Sequence, residues 1–242
     1  MKERIVIIPT YNEIENINDI IEEVFTLSPS FHILVVDDGS PDGTGVAVKK
    51  LQEKYPIRLH LEERKGKNGL GTAYIHGFKK CLEWGYDYIF EMDADFSHNP
   101  KDLVHLYNAC AKGGYDMVVG SRYAKGVNVV NWPMSRVLLS YFASRYVRII
   151  TGLPIADATA GFKCYHRRVL EKIPLNKIKF VGYAFQIEMK FSAWKYGFKI
   201  GEVPIIFTDR TKGTSKMSKG IIKEAFFGVM QMKLNSFFRK YE

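Results

Sequence analysis

Two hydrophobic rhythms alternate along the first half of the chain. Short runs rich in β-branched and aromatic residues, at 4–9, 32–37, 57–62, 86–92 and 116–120, have the length of buried strands. Between them, over 13–27, 44–55, 70–84 and 100–112, apolar residues return every three or four positions, the spacing of a helix with one face on a core. Strands alternating with helices in this way predict an α/β fold, a mostly parallel central sheet with helices on both faces. The rhythm loosens afterwards: 136–151 and 185–196 read as helices, 157–165 as a loop entering a strand, and 199–207 as a strand. A basic stretch, TDRTKGTSKMSKG, then precedes a final helix at 220–240. No linker, repeat or low-complexity tract intervenes, so a single domain over 1–242 is expected.

In parallel sheets ligands sit beyond the carboxyl ends of the strands, and three such ends here are polar. The first carries Thr10, Tyr11, Asn12 and Glu13, the second Asp37, Asp38, Gly39 and Ser40, and the fourth Asp93, Ala94 and Asp95. Side chains two apart along a strand point the same way, so Asp93 and Asp95 converge on one object, and a cation is the natural one. Magnesium or manganese suits such a pair, because hard divalent ions take one or two carboxylates together with substrate phosphates. A lone D-x-D recurs by chance, and its place at a strand end is what gives it weight. Of the neighbouring Ser97, His98 and Asn99, each a possible further contact, His98 fits an ordinary loop hydrogen bond better than ligation. The paired Asp37-Asp38 suits hydrogen bonds from a base N–H or a ribose hydroxyl. No G-x-G-x-x-G and no Walker loop is present, which argues against dinucleotide-type and P-loop chemistry.

Composition narrows the partners. Apolar residues at 46% and charged residues at 25% are ordinary for a globular chain, and the formal charge of +9 favours an anionic ligand or surface. Cys81, Cys110 and Cys164 are unpaired in spacing and read as buried thiols in a reducing compartment. No apolar run approaches the roughly 18 residues of a membrane span, and the N-terminal run is too short for a signal segment, so a cytoplasmic protein is expected. The basic stretch has little aromatic interleaving, which argues against single-stranded nucleic acid as a partner.

The ordered set PTYNE, VVDDGSPDGT, RKGKNGLGTA, MDADFSHNP and GSRY, followed by NWPMSR, DATAGFKCY and FTDRTKGTSK, resembles the family 2 glycosyltransferases over most of the chain. Within them it looks like those that move mannose from GDP-mannose to a polyprenyl phosphate. The resemblance implies the GT-A, Rossmann-like nucleotide-sugar fold, with 1–122 as the donor half and 123–242 as the acceptor and membrane half. It implies Pro9, Tyr11, Glu13, Val36, Asp37 and Asp38 around the nucleotide. Asp93, Ala94 and Asp95 would lie at the metal and diphosphate, and Arg122, Arg210 and Lys216 near phosphates. Where some members carry Gln, this chain has Ser97, which reaches a cation only with a shorter side chain or through water. Another sugar and nucleotide, or a non-catalytic subunit binding nucleotide sugars or membranes, are the alternatives. The intact Asp93, Asp95, Arg210 and Lys216 speak against the second.

A lipid acceptor requires access to a membrane without a span. On a helical projection, Glu224, Gly228, Gln231 and Asn235 form a narrow polar stripe. Ile221, Ile222, Phe226, Phe227, Val229, Met230, Leu234, Phe237 and Phe238 form a broad apolar face, with Lys233, Arg239 and Lys240 at its margins. That face is expected either to pack on the domain or to lie in a bilayer interface, giving peripheral attachment at a cytoplasmic membrane face. The segment SRVLLSYFASRYVRII combines aromatics and arginines similarly and would flank the acceptor entrance.

Overall fold

The computed structural model describes residues 3–210, 219–238 and 241, with the helical backbone alone over 219–225. The chain runs β1 (Arg4–Thr10), α1 (Ile17–Phe25), β2 (His32–Asp37), α2 (Thr44–Lys54), β3 (Leu59–Glu63), α3 (Leu70–Glu83), β4 (Tyr88–Glu91), α4 (Asp102–Ala111) and β5 (Met117–Ser121). It continues through β6 (Val129–Val130), α5 (Met134–Thr151), β7 (Lys163–His166), α6 (Arg167–Lys172), α7 (Tyr183–Lys195), β8 (Ile200–Pro204), β9 (Phe207–Thr208) and α8 (Lys219–Phe238). Among the described residues, seven strands form one sheet in the order β3-β2-β1-β4-β7-β5-β8. Every neighbouring pair is parallel except those made by β7, which runs antiparallel between β4 and β5. The expected α/β architecture with helices on both faces is what forms.

Strand alternation divides the core between the two faces. Ile5 and Ile7 of β1 join a cluster with Tyr74 and Phe78 of α3, Phe185 of α7 and Val229 of α8. Val6 and Ile8 face the other way, into a cluster with Ile20 of α1, Val48 of α2 and Leu106 of α4. Cys81, Cys110 and Cys164 are all free and buried, as their spacing suggests.

The reversed strand β7 has a chemical consequence. Its register sets Lys163 opposite Glu91 of β4, and the two side chains, both fully buried, meet at 3.0 Å. Tyr165 donates its hydroxyl to Glu91 Oε1 at 2.7 Å, and Gln186 donates Nε2 to Glu91 Oε2 at 2.9 Å. Lys163 also donates to Gln186 Oε1. Burial holds the Lys163 ammonium below the usual lysine range, while Glu91 pulls it back up. A buried pair of this kind contributes little net stability when whole and costs heavily when halved. Lys163→Met is therefore expected to destabilise the fold by about 3–5 kcal/mol, and Glu91→Gln added to it to restore much of the loss. Urea denaturation of the single and double variants measures both.

Candidate active site

The crevice forms where β1, β2 and β4 end. At the end of β2 the two adjacent aspartates do different work. Asp37, almost fully buried, accepts from the Thr10 hydroxyl at 2.8 Å, the Ser40 amide at 2.9 Å and the Ser40 hydroxyl at 2.6 Å, so its carboxylate shapes the turn. Asp38 instead faces Arg64, whose Nε and Nη2 both lie 2.7 Å from Oδ1. Arg64 also donates Nη1 to the Thr72 hydroxyl at 3.1 Å, which fixes its guanidinium against the first turn of α3. Gly39 sits between them at φ +69°, and a Cβ there would lie 3.3 Å from the Arg64 carbonyl oxygen, so the turn requires glycine. At the end of β1, Asn12 takes a left-handed φ of 56° and its amide donates to Ser40 Oγ at 3.0 Å. The Glu13 amide donates to Thr44 Oγ1 at 3.0 Å, and the Lys67 ammonium stands 5.2 Å from the centre of the Tyr11 ring. Val36 is in the core with Pro9 paired beside it in the β1–β2 ladder, so their backbone forms the crevice floor.

The end of β4 carries the charge. Asp95 is 5% exposed; its Oδ1 accepts the Ser97 amide at 3.1 Å and its Oδ2 lies 2.8 Å from Arg210 Nη2. Ala94 is buried between the two acids, and Phe96 just after them takes a left-handed φ of 58°, an unusual backbone state that turns the chain sharply here. Burial, and then the neighbouring Asp95 charge, push the Asp93 carboxyl up to about 7. The fully buried Tyr74 phenol is driven well above its usual range, by burial first and then by Asp93, Glu91 and Asp95. Two carboxylates thus stand at one strand end, with the Arg210 guanidinium against Asp95. That suits a divalent ion held by two carboxylates and completed by phosphate oxygens, and no cluster of three or more protein ligands occurs among the described residues.

Ser97 is buried, and its carbonyl accepts the Thr208 amide at 3.2 Å, which ties β9 to this loop. His98 stacks on Phe162 with ring centres 4.8 Å apart and meets Phe207 edge-on at 5.3 Å. Burial lowers its imidazole to about 4, so it is neutral packing at physiological pH. Exposed Asn99 accepts the Lys101 amide through Oδ1 at 3.0 Å, ahead of α4.

The structure brings Arg210 to the acids but turns Arg122 away. Arg122 closes its fork on Asp157, Nε to Oδ2 and Nη2 to Oδ1 at 2.7 Å each, and donates also to Thr159 Oγ1 at 2.8 Å. Its ring neighbours are Tyr123, Trp132 and Phe207, and its side chain is only 10% exposed. Lys212 and Lys216 lie outside the described residues. One further cation, assigned no role from the motifs, stands nearby: Arg136 of α5 pairs with Asp209 at 2.9 Å, one residue before Arg210. The NWPMSR motif contains it, but nothing in its spacing announces a partner 73 residues away.

Comparison with known proteins places the chain in a family. Residues 5–174 match the family model described as glycosyl transferase family 2. The chain is 48% identical over 227 residues to a polyprenol monophosphomannose synthase of Mycolicibacterium smegmatis, covering 94% of this chain and 85% of that protein. It is 45% identical over 228 residues to an undecaprenyl-phosphate mannosyltransferase of Micrococcus luteus, covering 94% and 93%. A crystal structure of glucosyl-3-phosphoglycerate synthase from Mycobacterium tuberculosis, solved with Mn2+, UDP and phosphoglyceric acid, shares the fold with a TM-score of 0.69 at 13% identity, over 96% of this chain and 78% of that one. The chain belongs to the family 2 glycosyltransferases.

The raised Asp93 carboxyl makes a prediction with a definite sign. The folded value of about 7 lies above the ordinary 3.8, so the folded state holds this proton more tightly. The stability it contributes is full below the ordinary value and is lost as pH rises toward 7. Asp93→Asn in the presence of EDTA should therefore exceed the wild type in stability by roughly 2–4 kcal/mol at pH 8, with the gap closing toward pH 5. Urea denaturation at the two pH values checks this.

Proposed function

We propose that this glycosyltransferase moves a mannosyl group from GDP-mannose to a polyprenyl phosphate, releasing GDP and inverting the anomeric centre. The observation that carries the reading is the pair of carboxylates Asp93 and Asp95 just beyond β4 of the parallel part of the sheet, with Arg210 against Asp95. The names of the two bacterial relatives supply the sugar and the acceptor class. Residues 1–122 serve the donor: Pro9, Tyr11, Glu13, Val36, Asp37 and Asp38 would surround the nucleoside, and Asp93 and Asp95 would hold magnesium or manganese beside Ala94. A bound divalent ion would supply positive charge to the departing nucleoside diphosphate.

The chain's own part is positioning and charge. A phosphate monoester is already anionic at neutral pH, so its oxygen attacks without a strong general base, consistent with a His98 that is neutral and enclosed in aromatic packing. Arg210, and Lys216 by resemblance, offset the phosphate charge that builds between donor and acceptor. Arg122 acts from behind, locking Asp157 and Thr159 and so the wall next to Trp132. Arg136 stands on the acceptor side, where residues 123–242 receive the lipid.

The surface of that half fits a lipid acceptor. α5 buries only Ser144, Val147 and Thr151, while Met134, Leu138, Leu139, Phe142 and Ile149 are exposed along its outer side. α8 packs Val229 and Met232 into the core and leaves Phe226, Phe227, Met230, Leu234, Phe237 and Phe238 outside. The expected polar stripe is therefore not one face: Gly228 is buried against Phe180, Gln231 and Asn235 are exposed, and the side chain of Glu224 lies outside the described ones. The two helices join where Tyr146 stacks on Phe226 at 4.7 Å and donates its hydroxyl to the Phe226 carbonyl at 3.0 Å. No helix among the described residues is long and apolar enough to cross a membrane. The outer apolar face, with Arg145, Arg148 and Lys233 on the same helices, supports peripheral attachment to an anionic bilayer; Arg239 and Lys240 lie outside the described residues.

The assay that tests the reaction offers several radiolabelled nucleotide sugars with a short polyprenyl phosphate. Mannose transfer from GDP-mannose is expected, with EDTA abolishing it, magnesium or manganese restoring it, and Asp95→Ala folded but inactive. Transfer of glucose instead, or turnover without any divalent ion, overturns the corresponding part. For the membrane face, replacing both Phe237 and Phe238 by Ser should weaken co-sedimentation with anionic vesicles and activity on long-chain acceptors. Use of a water-soluble short acceptor should survive, with circular dichroism as the folding control.

A further inference from the structure

We propose that Arg210 is the placeholder of the cation site: in the ligand-free protein its guanidinium occupies Asp95, and it passes to the donor's diphosphate when a divalent ion takes that carboxylate. The inference rests on the donor reading above and adds a competition that reading does not require. Asp95 is nearly fully buried, and a buried carboxylate without a partner is costly, so some positive group must sit on it before the metal arrives. Arg210 Nη2, 2.8 Å from Asp95 Oδ2, is that group.

Geometry makes this contact exchangeable. The Arg122 pair with Asp157 is closed, with side chains 10% and 0% exposed, whereas the Arg210 side chain is 26% exposed. The backbone under it is fixed, since the Asp209 amide donates to the Val130 carbonyl at 3.0 Å and the Asp209 carboxylate pairs with Arg136. Side-chain rotation over this fixed backbone would let the guanidinium leave Asp95 for the phosphate oxygens of a bound donor. A divalent ion and a guanidinium on one carboxylate would repel strongly at such separations, so the two states exclude each other. Removing Arg210 should accordingly act in opposite directions on the metal and on the nucleotide.

The experiment titrates Mn2+ into the full chain by electron paramagnetic resonance, without nucleotide and then with GDP. Arg210→Ala is expected to bind Mn2+ alone about three- to tenfold tighter, the loss of one competing ion pair. It should bind GDP in saturating Mn2+ at least about tenfold more weakly, the loss of one charge-assisted contact. Arg210→Lys, which keeps the charge on a shorter reach to Asp95, should fall between and serves where the alanine variant does not fold. Unchanged or weaker Mn2+ affinity in these variants overturns the placeholder while leaving the donor reading intact. A wild type that binds no Mn2+ even with GDP overturns both.

Discussion

The crevice is organised around three acids that the fold gathers at one strand end and answers in three different ways. Glu91, Asp93 and Asp95 follow one another along and just beyond β4, in the middle of the sheet. Glu91 is answered from behind by Lys163, Tyr165 and Gln186, which the antiparallel β7 and the following α7 bring to it. Asp93 and Asp95 point past the strand end, where the sheet offers no such partner. One is held protonated to unusually high pH and the other is covered by a side chain from the far end of the chain. Inserting one reversed strand into a parallel sheet thus lets the fold stabilise the first acid permanently and leave the next two available. It is the antiparallel pairing of β7 with β4 that sets Lys163 opposite Glu91.

Most of this sheet was legible because strand and helix have different hydrophobic periods, and each element of the first half is a strongly periodic run. The direction of β7 was not legible, since a strand of four residues carries no signal for its sense of travel. The β6–β9 ribbon has two residues in each strand and is created by contacts between distant segments, so periodicity has nothing to act on. At the site, residue type was readable and pairing was not. Asp37 and Asp38 look equivalent in the motif, yet the pleat sends one into Thr10 and Ser40 and the other toward Arg64. Arg122 looks like a free phosphate ligand until Asp157, 35 residues on, closes its fork. The projection of α8 as one polar and one apolar face fails for a related reason. A helix that is apolar nearly all round is divided by its neighbours, not by its own sequence.

That division links the two ends of the proposed reaction. Thr208 and Asp209 are anchored by Ser97 and Val130, which fastens the β9 segment both to the loop after Asp95 and to the ribbon before α5. Arg210 and Arg136 are then presented from one short stretch, one toward Asp95 and one from the helix whose outer face is apolar. An enzyme joining a water-soluble donor to a lipid-borne phosphate must hold two anionic groups together at the edge of an apolar surface. Aligning them requires compensating charges on a rigid connection between crevice and interface, because each loose degree of freedom lowers the fraction of encounters in reacting geometry. The strap from Phe207 to Arg210 provides that connection with backbone hydrogen bonds at its root and exchangeable guanidinium contacts at its tip.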